Sequence, residues 1–302
     1  MSMPSGLIEI FVQDFLIDEL HKEKKLDLNT LIDENGVCTL ENFRNSINQY
    51  VLLRGIIDQK KTALTKVNGD RNLVKISDTK NIPLCSLSPR DAKQSCFIDS
   101  IDDPNILLTA GIGPAGTGKT TLAVAYGLEA CFREDKKLYM CKSTALVGRA
   151  KTFGAVPGDV NEKFAPHVAS YKVILEKLLG DKAKSYLKMM EEKGRIKFVP
   201  VEYARGMTFE HCTFIIDEVQ NLDWHELKTI CSRMGEGANL IILGDLEQVD
   251  SGARSETTGI FKLLNSSSYV KSSITSIITL DQQYRGPIPT LMSDVDKELK
   301  KK

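Results

Sequence analysis

Gly113–Thr120 reads GPAGTGKT, and this octet decides the fold of the 302-residue chain. It fits G-x-x-x-x-G-K-[ST]. It sits between an apolar, β-branched run at Ile106–Thr109 and a helical stretch at Thr121–Phe132. Strand, glycine-rich turn, helix is the order that anion binding requires. Glycines let successive backbone N–H groups curl around an anion, and the helix N-terminus adds a positive partial charge. Gly113, Pro114, Ala115, Gly116, Thr117, Gly118, Lys119, Thr120 and Thr121 are therefore the expected phosphate cradle. Lys119 is long enough to reach β- and γ-phosphates, and the Thr120 hydroxyl suits Mg²⁺.

Outward from the octet, further apolar runs appear at Leu138–Cys141, Ile196–Val201, Phe214–Ile216, Leu240–Leu243 and Ile277–Leu280. Parallel strands covered on both faces look like this. Helical periods lie between them. Phe164, Val168, Tyr171, Leu175 and Leu178 repeat behind Asp159 and Glu162, a capping signature. Asp223 with Glu226 opens another helix that carries Leu227, Ile230 and Met234 and is expected to end at Gly235. The pattern predicts an α/β fold with a doubly wound parallel sheet.

Two of these strands end in polar chemistry. Phe214–Gln220 (FIIDEVQ) closes on adjacent carboxylates. Asp217 is expected to hold Mg²⁺, and Glu218 to orient or deprotonate the attacking water. Leu243–Asp250 (LGDLEQVD) offers Gln248 as a sensor of the terminal phosphate or its water.

Before Pro83–Pro89 (PLCSLSP), which reads as a linker, the composition differs. Two β-prone runs flank Asn68-Gly69, a hairpin turn signal, within Thr62–Ile76. Gln49–Ile57 reads as a third strand and Ile8–Leu20 as a helix. The expected division is a small mixed module at 1–82 and a nucleotide-binding domain at 83–302.

Lys+Arg and Asp+Glu are 40 each, so bulk charge does not hold a polyanion, though a local basic groove remains open. No apolar run reaches membrane-spanning length. The seven cysteines show no C-x-x-C pair, and their number is odd. They read as reduced thiols in a cytoplasmic protein, or in a host's cytoplasm if the chain is of phage or other viral origin.

GPAGTGKT, then DEVQ, then GDLEQVD resembles the PhoH-like family of ATPases, itself similar to the first motor domain of superfamily 1 helicases. The resemblance runs from about Ser88 to Arg285. Thr152–Pro166 (TFGAVPGDVNEKFAP) looks like the family's G-x-x-P-G-D segment, and Tyr203–Thr208 (YARGMT) like its R-G-x-T segment. It implies a P-loop NTPase (RecA-like) fold in which the third-motif strand lies between the other two motif strands. It also implies Mg²⁺-dependent ATP hydrolysis coupled to single-stranded nucleic acid, RNA favoured over DNA. Gln94 is placed where related ATPases read adenine. Within Leu280–Gly286 (LDQQYRG), Tyr284 corresponds to a residue that stacks on adenine, and Arg285 to one that contacts the γ-phosphate. Arg205 is expected as a further transition-state cation, supplied like Arg285 from a neighbouring subunit. Few residues follow Arg285, so a second motor domain is not expected in this sequence. That predicts a homo-oligomer, perhaps a hexameric ring. The other function class is a nucleotide-dependent switch that docks a protein partner through residues 1–82.

Overall fold

The computed structural model describes residues 6–31, 47–77, 81–143, 160–180, 183–247, 257–284 and 286–287, with isolated positions at 291, 292, 295 and 298. Two sheets organise them. The N-terminal sheet contains β1 (Leu7–Val12), β2 (Lys25–Asp27), β3 (Tyr50–Gly55), β4 (Thr62–Val67) and β5 (Asn72–Lys75), with helix α1 (Asp14–Glu23) between β1 and β2. The strand order is β1-β3-β4-β5-β2. β1 and β3 are parallel; the other pairings are antiparallel. The β4–β5 hairpin turns at Asn68, whose side chain accepts from the N–H groups of Asp70 and Asn72. The expectation of a helix over Ile8–Leu20 is corrected: its first half is β1. Leu7–Val12 alternates in burial, and its strand partner β3 lies some forty residues away, beyond any local pattern.

The second sheet has six parallel strands: β6 (Leu108–Ile112), β7 (Lys137–Lys142), β8 (Ile196–Phe198), β9 (Cys212–Asp217), β10 (Asn239–Gly244) and β11 (Thr275–Thr279). The order is β11-β6-β10-β9-β7-β8, so β10 does lie between β6 and β9. The helices joining them are α2 (Ala92–Asp102), α3 (Lys119–Arg133), α4 (Val160–Leu179), α5 (Ala183–Glu192), α6 (Val201–Ala204), α7 (Trp224–Cys231), α8 (Gly259–Leu264) and α9 (Ser267–Val270). Buried residues of α2 to α5 pack on one face of the sheet, against Leu138, Ile215 and Ile241. Those of α7 to α9 pack on the other, against Phe214, Leu240 and Ile242. This is the doubly wound P-loop NTPase architecture.

Local chemistry explains where elements stop. Asp223 and Glu226 form a reciprocal capping box at the start of α7. That helix ends at Cys231, not at Gly235: Met234 has left the helical path and its N–H bonds the Cys231 carbonyl. The predicted strand over Ile196–Val201 closes at Phe198, because Pro200 has no N–H to give a ladder and instead caps α6. None of the described cysteines is in a disulfide. No described helix is long and apolar enough to cross a membrane.

The two sheets share a core. Tyr50, Leu64 and Ile76 of the first pack with Phe97, Ile98, Ile101 and Ile278 of the second. Each side chain of this size contributes about 1.5–3 kcal/mol when fully buried, so apolar contact dominates the join. A polar cluster lies beside it. Lys66 Nζ donates to Asp99 Oδ2 (2.8 Å) and Asp103 Oδ2 (2.6 Å), and the Tyr50 hydroxyl donates to Asp99 Oδ2 (2.8 Å). Burial alone would lower the Lys66 pKa, but the two carboxylates hold it above its ordinary value.

Candidate active site

β6 ends at Ile112 and the chain turns at once. Gly113, Gly116 and Gly118 all take positive φ, at 149°, 88° and 90°. Gly113 is also pinned by space: a Cβ there would stand 1.8 Å from the Leu280 carbonyl oxygen. Lys119 begins α3 and folds back, its Nζ donating to the carbonyls of Gly113 (2.5 Å) and Pro114 (2.8 Å). Thr120 follows, and its hydroxyl donates to Asp217 Oδ2 at 3.0 Å. Two motifs 97 residues apart thus meet at the carboxyl ends of β6 and β9.

Asp217 is buried, and burial together with the neighbouring Glu218 pushes its carboxyl above the usual range. The hydrogen bonds from Thr120 and from the Glu218 N–H oppose that shift. Glu218 occupies the left-handed region at φ 57°, rare for a residue with a long side chain. It is held there by its own N–H bonding Asp217 Oδ1 and by Gln220 Nε2 donating to its Oε2 at 2.7 Å. The other end of the Gln220 amide accepts from the Asp245 N–H at 3.1 Å, at the end of β10. Asp245 is itself buried, its carboxyl raised by desolvation, and its Oδ2 has no hydrogen-bond partner among the described residues.

At the opposite end of the cleft stands the first turn of α2. Asp91 Oδ1 caps it by accepting from the Gln94 N–H. Gln94 is buried, its Nε2 donating to the Thr117 carbonyl (2.9 Å) and its Oε1 accepting from the Arg90 N–H (2.9 Å). Tyr284 lies alongside. Its hydroxyl donates to Asp91 Oδ2 (2.5 Å), its N–H to the Gly116 carbonyl (3.0 Å), and the Arg90 guanidinium sits 5.1 Å from its ring centre. Burial and the Asp91 carboxylate push the phenol up to about 12.

Most of these groups line one cleft of about 570 Å³; Asp91 and Gln220 stand behind its wall. It holds the phosphate loop from Gly116 to Thr121, the Asp217–Glu218 pair, Gln94 and Tyr284. Lys142, at the end of β7, is on the same wall, as is a stripe of α4. Arg205 does not line it; its guanidinium pairs with Glu226 at 2.9 Å. Gln248 and Arg285 lie outside the described residues, as does the Thr152–Asp159 part of the G-x-x-P-G-D segment. Sequence reading assigned no role to Arg90, Asp91 or Gln220. Asp91 had a signal, the D-x-x-Q spacing of a helix cap. Gln220 stood inside the quoted FIIDEVQ run, but its bridge to β10 depends on strand order.

A family model described as PhoH-like protein matches residues 86–295. The chain belongs to the PhoH-like family. Among curated PhoH relatives, protein PhoH2 of Bacillus subtilis is 28% identical over 253 residues, covering 82% of this chain and 54% of that protein. Protein PhoH2 of Mycolicibacterium smegmatis is 26% identical over 300 residues, covering 98% of this chain and 63% of that protein. The chain thus spans little more than half the length of these PhoH proteins. Of solved structures, the Pif1 helicase of Candida albicans aligns with 68% of this chain and 43% of its own. Its TM-score is 0.35 and the identity 18%, too slight a likeness to bear on function.

Proposed function

We propose that this PhoH-like protein binds ATP in the cleft and hydrolyses it with Mg²⁺, in service of single-stranded nucleic acid, RNA favoured. The observation that carries the reading is the 3.0 Å bond from Thr120 to Asp217, which unites the phosphate loop with a paired carboxylate.

The residues present fit the metal. A hydroxyl and a carboxylate are hard oxygen donors, and Mg²⁺ is ordinarily held by one or two such groups with phosphate oxygens and water completing its shell. Among the described residues there is no cluster of three or more His, Cys, Asp or Glu side chains that would make a closed protein cage instead. Asp217, strained by burial of its charge, gains most from a neighbouring cation. When bound, Mg²⁺ neutralises charge developing on the phosphates.

The protein's own groups supply the rest. Backbone N–H groups of the phosphate loop and the α3 N-terminus receive the phosphates. Lys119 exchanges its two carbonyl partners for β- and γ-phosphate oxygens. Glu218 takes the proton of the attacking water, an effect worth about 10²–10⁴ in rate. Gln220 fixes that carboxylate. Tyr284 and Arg90 flank the adenine, and Gln94 reads its edge with the amide hydrogen and lone pair its present bonds leave over. Gln248 senses the γ-phosphate. Arg285 or Arg205 covers the transition state from a neighbouring subunit of a homo-oligomer, as arginine fingers do.

The test is ATP turnover and calorimetric ATP binding in three proteins. Wild type is expected to bind and turn over. Lys119→Ala is expected to lose most affinity, and Glu218→Gln to bind normally but hydrolyse at least about tenfold more slowly. Equal ATP affinity in wild type and Lys119→Ala overturns the reading.

A further inference from the structure

Helix α4 has three faces. Tyr171 and Leu175 point into the core, where the Tyr171 hydroxyl donates to the Cys141 carbonyl at 3.0 Å. Ser170, Val173, Ile174, Lys177 and Leu178 wall the nucleotide cleft. Val168, Ala169 and Lys172 face the other way, into a second groove of about 630 Å³ against β8, the edge strand of the sheet. One helix therefore separates two cavities.

The second groove has a particular chemistry. Its floor is apolar, built from Val168, Ile196, Val199 and Met207. Tyr203 stands at its wall with 52% of its surface exposed, and its side chain belongs to no polar or aromatic pair among the described residues. Phe198 supplies a second ring, with Lys172 Nζ 5.9 Å from its centre. Lys172 and Lys197 are both exposed along the groove. The single acid among the described lining residues, Glu191, lies 4.0 Å from Lys172, so Lys197 leaves the lining with one net positive charge. The groove opens beside the carboxyl end of a parallel strand, where α/β sheets receive ligands.

We propose that this groove is a second binding site and that its occupant is single-stranded nucleic acid. A base stacks on Tyr203 over the apolar floor, and Lys172 and Lys197 contact the flanking phosphates. Exposed aromatic faces beside cations are how proteins hold single strands without reading sequence, because every base has a π-face. An apolar peptide would use the floor but would gain little from the two lysines. The shared α4 wall also gives the nucleotide cleft a direct route to this site. The site gives a place to the nucleic acid of the reading above and rests on that part of it; the coupling rests on its ATP part as well.

Fluorescence anisotropy of short labelled oligouridine and oligothymidine tests it, with the full chain at several salt concentrations. Tyr203→Ala is expected to weaken binding about tenfold and Tyr203→Trp to restore it. Lys172→Ala with Lys197→Ala is expected to flatten the salt dependence by about 1.4 in log–log slope, two contacts at about 0.7 each. The two oligomers decide between RNA and DNA as the strand held. Calorimetric ATP affinity without polymer, measured alongside, is expected to be unchanged in every groove variant. Equal polymer affinity in wild type and Tyr203→Ala overturns the proposal. So does a failure to bind either oligomer while ATP binds normally, or Tyr203-dependent capture of an apolar peptide in place of both. Polymer binding that depends on Tyr203 in a protein that fails to bind ATP supports the groove and removes the nucleotide reading instead.

Discussion

Gln220 Nε2 donates to Glu218 Oε2 at 2.7 Å while Gln220 Oε1 accepts from the β10 end, so one amide aligns the proposed base with the third motif. Gln220→Leu keeps the buried volume and removes both bonds. The expected outcome is turnover lowered about tenfold with ATP affinity within about twofold, the pattern of a group that acts only in the chemical step. Steady-state kinetics with calorimetry checks it. An equal loss in affinity would place Gln220 in ground-state binding.

Burial of the Asp217 carboxyl works against its charge. Its folded-state pKa is raised, so the folded form holds its proton more tightly than the unfolded chain does. Stability from this group is fully present below the ordinary carboxylate pKa and is lost as pH rises through the raised value. Asp217→Asn is therefore expected to melt higher than wild type at neutral pH without nucleotide, with the gain shrinking in acid. The same variant should lose Mg²⁺-dependent hydrolysis. Thermal scans across pH, with and without Mg-ADP, read both effects.

Gly113→Ala meets the Leu280 carbonyl at 1.8 Å and a backbone φ of 149°. Either the phosphate loop or the segment after β11 must shift, at about 3 kcal/mol or more. We expect low soluble yield or a melting point several degrees down. Gly69→Ala is the control: nothing lies within 4 Å of the added carbon, and its melting point should match wild type within about a degree.

Tyr284→Phe removes the bond to Asp91 but keeps the ring under Arg90. ATP affinity should stay within about threefold, whereas Tyr284→Ala should lose about tenfold, the order expected for an aromatic stack. Because the phenol is pushed up to about 12, affinity should show no tyrosine titration below about pH 11. Calorimetry with ATP and with inorganic triphosphate, which lacks a base, separates stacking from phosphate effects.

Arg205 spends its guanidinium on Glu226 within its own chain, which makes Arg285 the stronger candidate to act across an interface. Subunits of Arg285→Ala mixed with Lys119→Ala should recover part of the activity that each lacks alone. Light scattering with a Mg-ATP analogue should give a mass above the monomer. Full activity at a monomeric mass would remove the oligomer from the mechanism.

What was readable in the sequence follows the range of the forces involved. The phosphate loop, the Asp223–Glu226 cap and the Asn68 turn are set by neighbours within a few residues, and their residue types declare them. Strand positions were visible, but their ends shifted: the run at Ile106–Thr109 became Leu108–Ile112, because pairing with β10 and β11 sets the register. β1 was missed because its partners are distant. The arrangement of Gln94, Asp91 and Tyr284 was legible only as separate residues. Their meeting depends on residues from 91 to 284 being folded against one loop.

The Asn48 amide donates to the carbonyls of Ser273 and Thr275, 225 and 227 positions along the chain, and Gly6 lies directly against Ile277. During synthesis, Asn48 and Gly6 leave the ribosome long before β11 exists to meet them, although α2 is there far sooner to cover Tyr50 and Leu64. At translation rates of about 5–20 residues per second, those two contacts stay unmade for on the order of ten seconds or more. Final closure of the amino-terminal sheet has to wait for β11.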